Sequence, residues 1–217
     1  MNIRSTRVKT AAGLAGLALL AFPLAACGSE DDDAPAKVSA VASLDELANG
    51  KTTQVTLDPG FLEALDTLGL TPGTIEGAKL DGAKLSFPIT GGNVTLFEPG
   101  TVPNYVVGQL QHENSGLSLE AGDIRVELRN FNVDPGVSRI YGDVVVNGEV
   151  AATSAYLFRL NGSTLKPVQM EGTDVILEGT KVFISDVAAG LLNQTFGTDA
   201  VTDQLLVGVA KITVATA

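Results

Sequence analysis

Residues able to do chemistry are scarce in this 217-residue chain, and their scarcity narrows its range of functions. There is one cysteine, Cys27, one histidine, His112, and three tyrosines, Tyr105, Tyr141 and Tyr156. A lone cysteine cannot close an intramolecular disulfide. Without a cysteine cluster or a second histidine there is no zinc or iron–sulfur ligand set. Beyond the 25 carboxylates, among which one sequence singles out no pair, the remaining donors to a metal are His112 and the tyrosines. A tyrosinate supplies a hard anionic oxygen and an imidazole a neutral nitrogen. The other reading makes His112 a surface histidine at a strand end and the tyrosines ordinary sheet residues with their hydroxyls near water. Phosphate loop, nucleophile elbow, metalloprotease helix and dinucleotide fingerprint are all missing, and no serine nucleophile is recognisable around His112. These residues do not predict an enzyme.

Cys27 has a different setting. Residues 1–26 hold Arg4, Arg7 and Lys9 and no acid, then an apolar core from 11 to 22. That core is too short to span a bilayer permanently, and Leu24-Ala25-Ala26 supplies small residues before a cut site. The pattern predicts an export signal over 1–26. With a cysteine at the cut it resembles the lipobox of bacterial lipoproteins. The resemblance implies that the thiol receives a diacylglycerol, that the signal is removed, and that Cys27 becomes residue one on the outer face of the cell membrane. An ordinary secreted protein is the alternative. Loss of the signal removes three of the 14 basic residues and leaves 11 against 25 acids, a formal −14. Such a surface repels nucleic acid and anionic headgroups, so contact with the membrane has to come through the lipid on Cys27.

Residues 27–51 read as the lipidated N-terminus and an acidic flexible tether carrying Glu30-Asp31-Asp32-Asp33 and Ala34-Pro35-Ala36. They have too few large apolar residues to offset the entropy of ordering. Residues 52–217 read as one β-rich domain. Gln54-Val55-Thr56-Leu57 and Lys84-Leu85-Ser86-Phe87 alternate. Ile124, Val126 and Leu128 oppose Arg125, Glu127 and Arg129. After Asn130 the phase flips to Phe131 and Val133, which predicts a bulge. Val144-Val145-Val146 suits a strand buried on both faces. Asp134-Pro135-Gly136, Asn147-Gly148 and Asn161-Gly162 mark turns, the last two as hairpins. Asp58 and Pro59 start a helix that Gly69 ends, and Ser185 starts one that Gly197 ends. The fold class is mainly β: an antiparallel sandwich or barrel-like domain with two short α-helices.

The run Val106-Val107-Gly108-Gln109-Leu110-Gln111-His112, then Gly116-Leu117 and the strand from Ile124, resembles the haem-transport-associated domain of actinobacterial surface proteins. Leu85-Ser86-Phe87-Pro88, Arg139-Ile140-Tyr141-Gly142-Asp143-Val144 and the stretch 186–214 extend the likeness across the domain. The resemblance implies haem held by a tyrosine ligand, with a hydrogen-bonding histidine at the position of His112. The tyrosine position, three residues after Phe61, is Ala64, which cannot ligate iron. Tyr105, seven residues before His112, is the candidate replacement. The family's turn after the histidine is filled here by Glu113-Asn114-Ser115.

The sequence thus predicts a membrane-anchored extracytoplasmic lipoprotein with a non-catalytic binding module. Its ligand would be haem or another small apolar molecule, with His112 and Tyr105 as candidate contacts. A structural or adhesive envelope protein that has lost the haem site is the alternative. Metabolic labelling with a fatty acid tests the anchor: Cys27→Ala should abolish the label, and label retained on the variant would remove the lipoprotein reading.

Overall fold

The computed structural model describes residues 38–47 and 50–215. The signal, Cys27 and the acidic run 30–33 lie outside the described residues. In chain order the elements are β1 (Ala40–Leu44), β2 (Thr52–Leu57), α1 (Pro59–Thr67), β3 (Thr71–Glu76), β4 (Lys79–Asp81) and β5 (Lys84–Pro88). Then come β6 (Gly91–Phe97), β7 (Val106–Ala121), β8 (Ile124–Asp134), β9 (Arg139–Val146) and β10 (Glu149–Asn161). The chain closes with β11 (Gln169–Glu171), β12 (Asp174–Ile184), α2 (Asp186–Phe196) and β13 (Leu206–Ala215).

Local chemistry sets the two helices where the sequence predicts them. Asp58 accepts a hydrogen bond from Gly60 N at 2.9 Å, and Pro59 takes the first turn, where a missing N–H costs nothing. Ser185 Oγ accepts from Ala188 N at 2.9 Å, and Gly197 ends α2 at φ 64°. β2 and β12 both run antiparallel to β13, so they point the same way and deliver α1 and α2 to one end of the sheet. There Phe61 and Leu65 of α1 and Ala188 and Leu192 of α2 close over a common apolar cluster.

The strands form one antiparallel sheet in the order β1-β6-β7-β8-β9-β10-β12-β13-β2-β5-β4, with β3 on the second half of β7 and β11 on β12. It curls into a half-barrel, the barrel-like form of the predicted fold class. A second cluster, built on Leu47, Val94, Val106, Leu110 and Val214, occupies the end away from the helices.

Three bulges in neighbouring strand pairs bend the sheet. Register shifts fall between His112 and Gly116, between Arg129 and Asn132, and between Ala152 and Ala155. Each holds a non-glycine residue in the left-handed region: Asn114 at φ 52°, Asn130 at 54° and Ser154 at 49°. Side chains satisfy the backbone groups that the ladder leaves free. Asn114 N donates to Asn130 Oδ1 at 3.0 Å, and Asn130 Nδ2 to Asp143 Oδ2 at 2.9 Å. Ser154 N donates to Asp143 Oδ1 at 3.0 Å. The bulge predicted at Asn130 is therefore one of a row.

Three expectations need correction. Part of the predicted tether belongs to the domain: Ala40–Leu44 pairs with β6, and Leu47 is 1% exposed, so the compact unit begins at Val38. Asn161-Gly162 makes no hairpin. Asn161 Oδ1 accepts from Ser163 N at 3.2 Å and starts a 3₁₀ turn over Gly162–Thr164, and β10 pairs with β12 instead. Residues 113–115 are a bulge inside the 16-residue β7, not a turn after it.

Asp143→Ala removes the acceptor for two of the bulge bonds. It should destabilise the domain by about 1–3 kcal/mol, read as a lower urea midpoint. An unchanged midpoint would show that the bulges hold without it.

Candidate functional site

His112 lies on β7 just before the bulge, and the alternation of Leu110 and His112 turns its ring inward. It is 1% exposed, not a surface histidine at a strand end. Three contacts hold it. Nδ1 lies 3.2 Å from Phe131 O on β8, Nε2 lies 2.8 Å from Thr53 Oγ1 on β2, and the ring meets Phe87 of β5 edge-on at 6.4 Å. A carbonyl oxygen can only accept, so Nδ1 carries the proton and Nε2 presents its lone pair. The Thr53 hydroxyl therefore donates to Nε2. Phe87, Phe131 and Phe158 continue as a run of edge-to-face rings, 5.3 and 5.9 Å apart.

Burial pushes the imidazole down from 6.5 to about 4, against the smaller opposing effect of its backbone hydrogen bonds. The ring is neutral at physiological pH. A hydroxyl beside an imidazole resembles a nucleophile with its base, yet so weak a base takes little proton from threonine at neutral pH. Among the described residues the ring's partners are a carbonyl and a hydroxyl, so no carboxylate orients it as in a triad.

Two voids meet at Thr53. The larger, about 370 Å³, sits at the end away from the helices. It opens past Pro103, Asn104, Pro135 and Ser163, and its wall includes Tyr105, Leu110, Val133, Ile140, Leu177 and Ile212. No Asp, Glu, Lys, Arg or His lines it among the described residues. The smaller, about 50 Å³, is bounded by His112, Phe87, Phe131 and Phe158. Thr53, Val55, Val133, Ile140 and Val182 belong to both walls. His112 and Tyr105 thus border adjoining voids without lining the same one.

The other sequence candidates are dispersed over the barrel. Ala64 borders a gap of about 20 Å³ between α1 and α2, with Phe61, Leu65, Ala188 and Leu192. Tyr141 borders, together with His112, Glu113, Asn114, Asn130 and Asp143, a polar depression of about 600 Å³ over the bulges. Tyr141 and Tyr156 form a tilted pair at 6.0 Å, with the Arg139 guanidinium 4.6 Å over the Tyr156 ring. Cys27 is outside the described residues. Thr53 was not singled out by the sequence. Its one signal is phase, since it shares a strand face with Val55 and Leu57.

No family model matches the chain, and no curated protein matches it. Solved structures do. The C-terminal domain of HtaA from Corynebacterium glutamicum superposes with a TM-score of 0.53 at 14% identity, over 80% of this chain and 98% of that one. Haem-binding protein HtaB from the same organism gives 0.46 at 10% identity, over 76% and 92%. The likeness to the HtaA domain is one of fold, and that fold is the one anticipated from the sequence resemblance.

The buried neutral imidazole makes stability depend on pH. Its proton affinity is lower in the folded chain than in the unfolded one, so acid favours unfolding between the two values. The contribution is whole above pH 6.5 and is lost as pH falls to about 4, about 3 kcal/mol in all. His112→Gln has no proton to bind, so its stability deficit against wild type should shrink by that amount from pH 7 to 4 in urea titrations. A deficit constant with pH would mean the ring is not held neutral.

Proposed function

We propose that this chain is an extracytoplasmic, non-catalytic binding module, held to the membrane by lipid on Cys27, whose open-end cavity takes a small uncharged apolar molecule. One observation carries the cargo class. A void of about 370 Å³ is walled by aliphatic and neutral polar side chains with no charge among them. That volume falls within the range of small-molecule sites. A charged group entering it would lose hydration and find no counter-ion.

Haem, the cargo of the family that the sequence resembles, is the second reading, and His112 beside an apolar void is what favours it. The residues do not fit a tyrosinate-ligated haem. Position 64 is an alanine facing the gap between the helices, Tyr105 borders the neighbouring void, and the depression that Tyr141 shares with His112 has polar walls where a macrocycle needs apolar ones. The lone pair of His112 Nε2 already receives the Thr53 hydroxyl, and among the described residues no cation lines the open cavity to meet the haem carboxylates. The structural or adhesive role supposes no ligand at all.

Titration with the neutral fluorophore N-phenylnaphthylamine and, separately, with haemin distinguishes the three. The fluorophore should bind saturably with a blue shift, and haemin should give no Soret change. A saturable Soret change abolished by His112→Ala would establish the haem reading. No response to either would favour the structural role.

A further inference from the structure

The floor of the open cavity has a fixed hydrogen-bond polarity. Thr53 pairs with Ile212 of β13 on one side and Phe87 of β5 on the other, which sets its side chain inside the barrel at 6% exposure. Of the residues common to both voids it is the polar one, and His112 borders the inner void but not the open cavity. A threonine hydroxyl has one proton to give and two lone pairs to receive with. The proton is committed, because Nδ1–H of His112 is taken by Phe131 O and Nε2 can only accept. What remains at Thr53 Oγ1 is acceptor capacity. Other polar groups on the wall, Thr180, Tyr105 and Ser138, are half-buried, and Asn104 and Ser163 are exposed, so water reaches them more readily than it reaches Thr53.

We propose that the cavity selects aliphatic alcohols over ketones and alkanes of the same length. The ligand hydroxyl donates to Thr53 Oγ1 at the buried end and the aliphatic body lies along Val133, Ile140, Leu177 and Ile212. This rests on the cavity being a ligand site. His112 is here a positioning residue. It touches no ligand and sets the direction of the Thr53 hydroxyl. A ketone brings only an acceptor to an oxygen whose proton is already used, and an alkane leaves that oxygen without the extra bond.

The test is displacement of N-phenylnaphthylamine by decanol, decanone and decane, first on the wild-type protein. Decanol should compete better than decanone by roughly three- to tenfold, the worth of one net hydrogen bond. In Thr53→Val the alcohol-to-ketone ratio should fall to about one, and in Thr53→Ser it should recover. In His112→Leu the freed hydroxyl can donate, so the ratio should turn toward the ketone. Equal competition by all three on wild type would overturn the polarity argument while leaving the cavity a binding site. A preference for alcohol that survives Thr53→Val would also overturn it, placing the acceptor at another polar group of the wall, Thr180 among them. Failure of the fluorophore and of all three ligands to bind would overturn the cavity reading itself. Because the wild-type ratio decides the matter alone, misfolding of a variant would not rescue the proposal.

Discussion

The hydrogen bonds that Asp143 and Asn130 make across β7 to β10 are the constraint on which the barrel depends. A regular strand sends alternate residues to one face for its whole length. β7 cannot obey that rule and still fill the interior. Leu110 and His112 point inward before the bulge, and Leu117 and Leu119, of opposite parity, point inward after it. β8 makes the same change between Leu128 and Phe131. Because the two switches face each other, the strands stay paired on both sides of the fault and the sheet bends around it. The left-handed residues that this demands are asparagine twice, which tolerates the conformation, and Ser154, which is held there by the Asp143 carboxylate.

One consequence is that a histidine is brought into an apolar interior whose other polar side chains are few. An unpaired imidazole there would cost more than its packing returns. Both ring nitrogens are accordingly paired, with a carbonyl from the next strand and a hydroxyl from across the open side of the curl. The Thr53 bond spans a separation of 59 residues and joins β7 to β2, strands on opposite flanks of the half-barrel. It therefore helps to close the curl as well as to satisfy the ring. The contrast with the outside is sharp: the chain carries a formal net charge of −11, yet no charged side chain reaches the open cavity among the described residues.

What the sequence revealed and what it concealed divide along the range of the interactions. Asp58, Ser185 and Gly197 cap helices through bonds to residues two to four positions away, so their meaning is local and readable. The phase flip at Asn130 is local too, and so is the Asn147-Gly148 hairpin between β9 and β10. Residues 113–115 have the polar composition of a turn, and only the pairing of Gly116 with Arg129 reveals that the strand continues. Leu47 lies between Asp45-Glu46 and Ala48-Asn49, and nothing local marks it for burial in the cluster with Ile89 and Val94. Thr53 is the clearest case. Its neighbours along the chain make it an ordinary β-strand threonine, and its role comes wholly from a histidine far away in sequence.

Space decides where a ligand of any kind can sit. The matched position for an iron-binding tyrosine is Ala64, and the gap beside it is about 20 Å³, room for about one water. The void beside His112 is about 50 Å³ and bounded by phenylalanines, too small for a planar macrocycle and too apolar to hold water well. A depression of about 600 Å³ over the three bulges is lined mostly by polar side chains, among them Glu113, Asn114, Asn130 and Asp143. Of the voids with apolar walls, the open end is the one that offers several hundred cubic ångströms, and it lies away from α1. A haem seated at position 64 would have to prise α1 and α2 off the cluster that joins Phe61, Leu65, Ala188 and Leu192, giving up the burial that closes that end of the barrel. A narrow neutral molecule at the open end displaces nothing. The helix end is thus packed shut while the opposite end stays hollow.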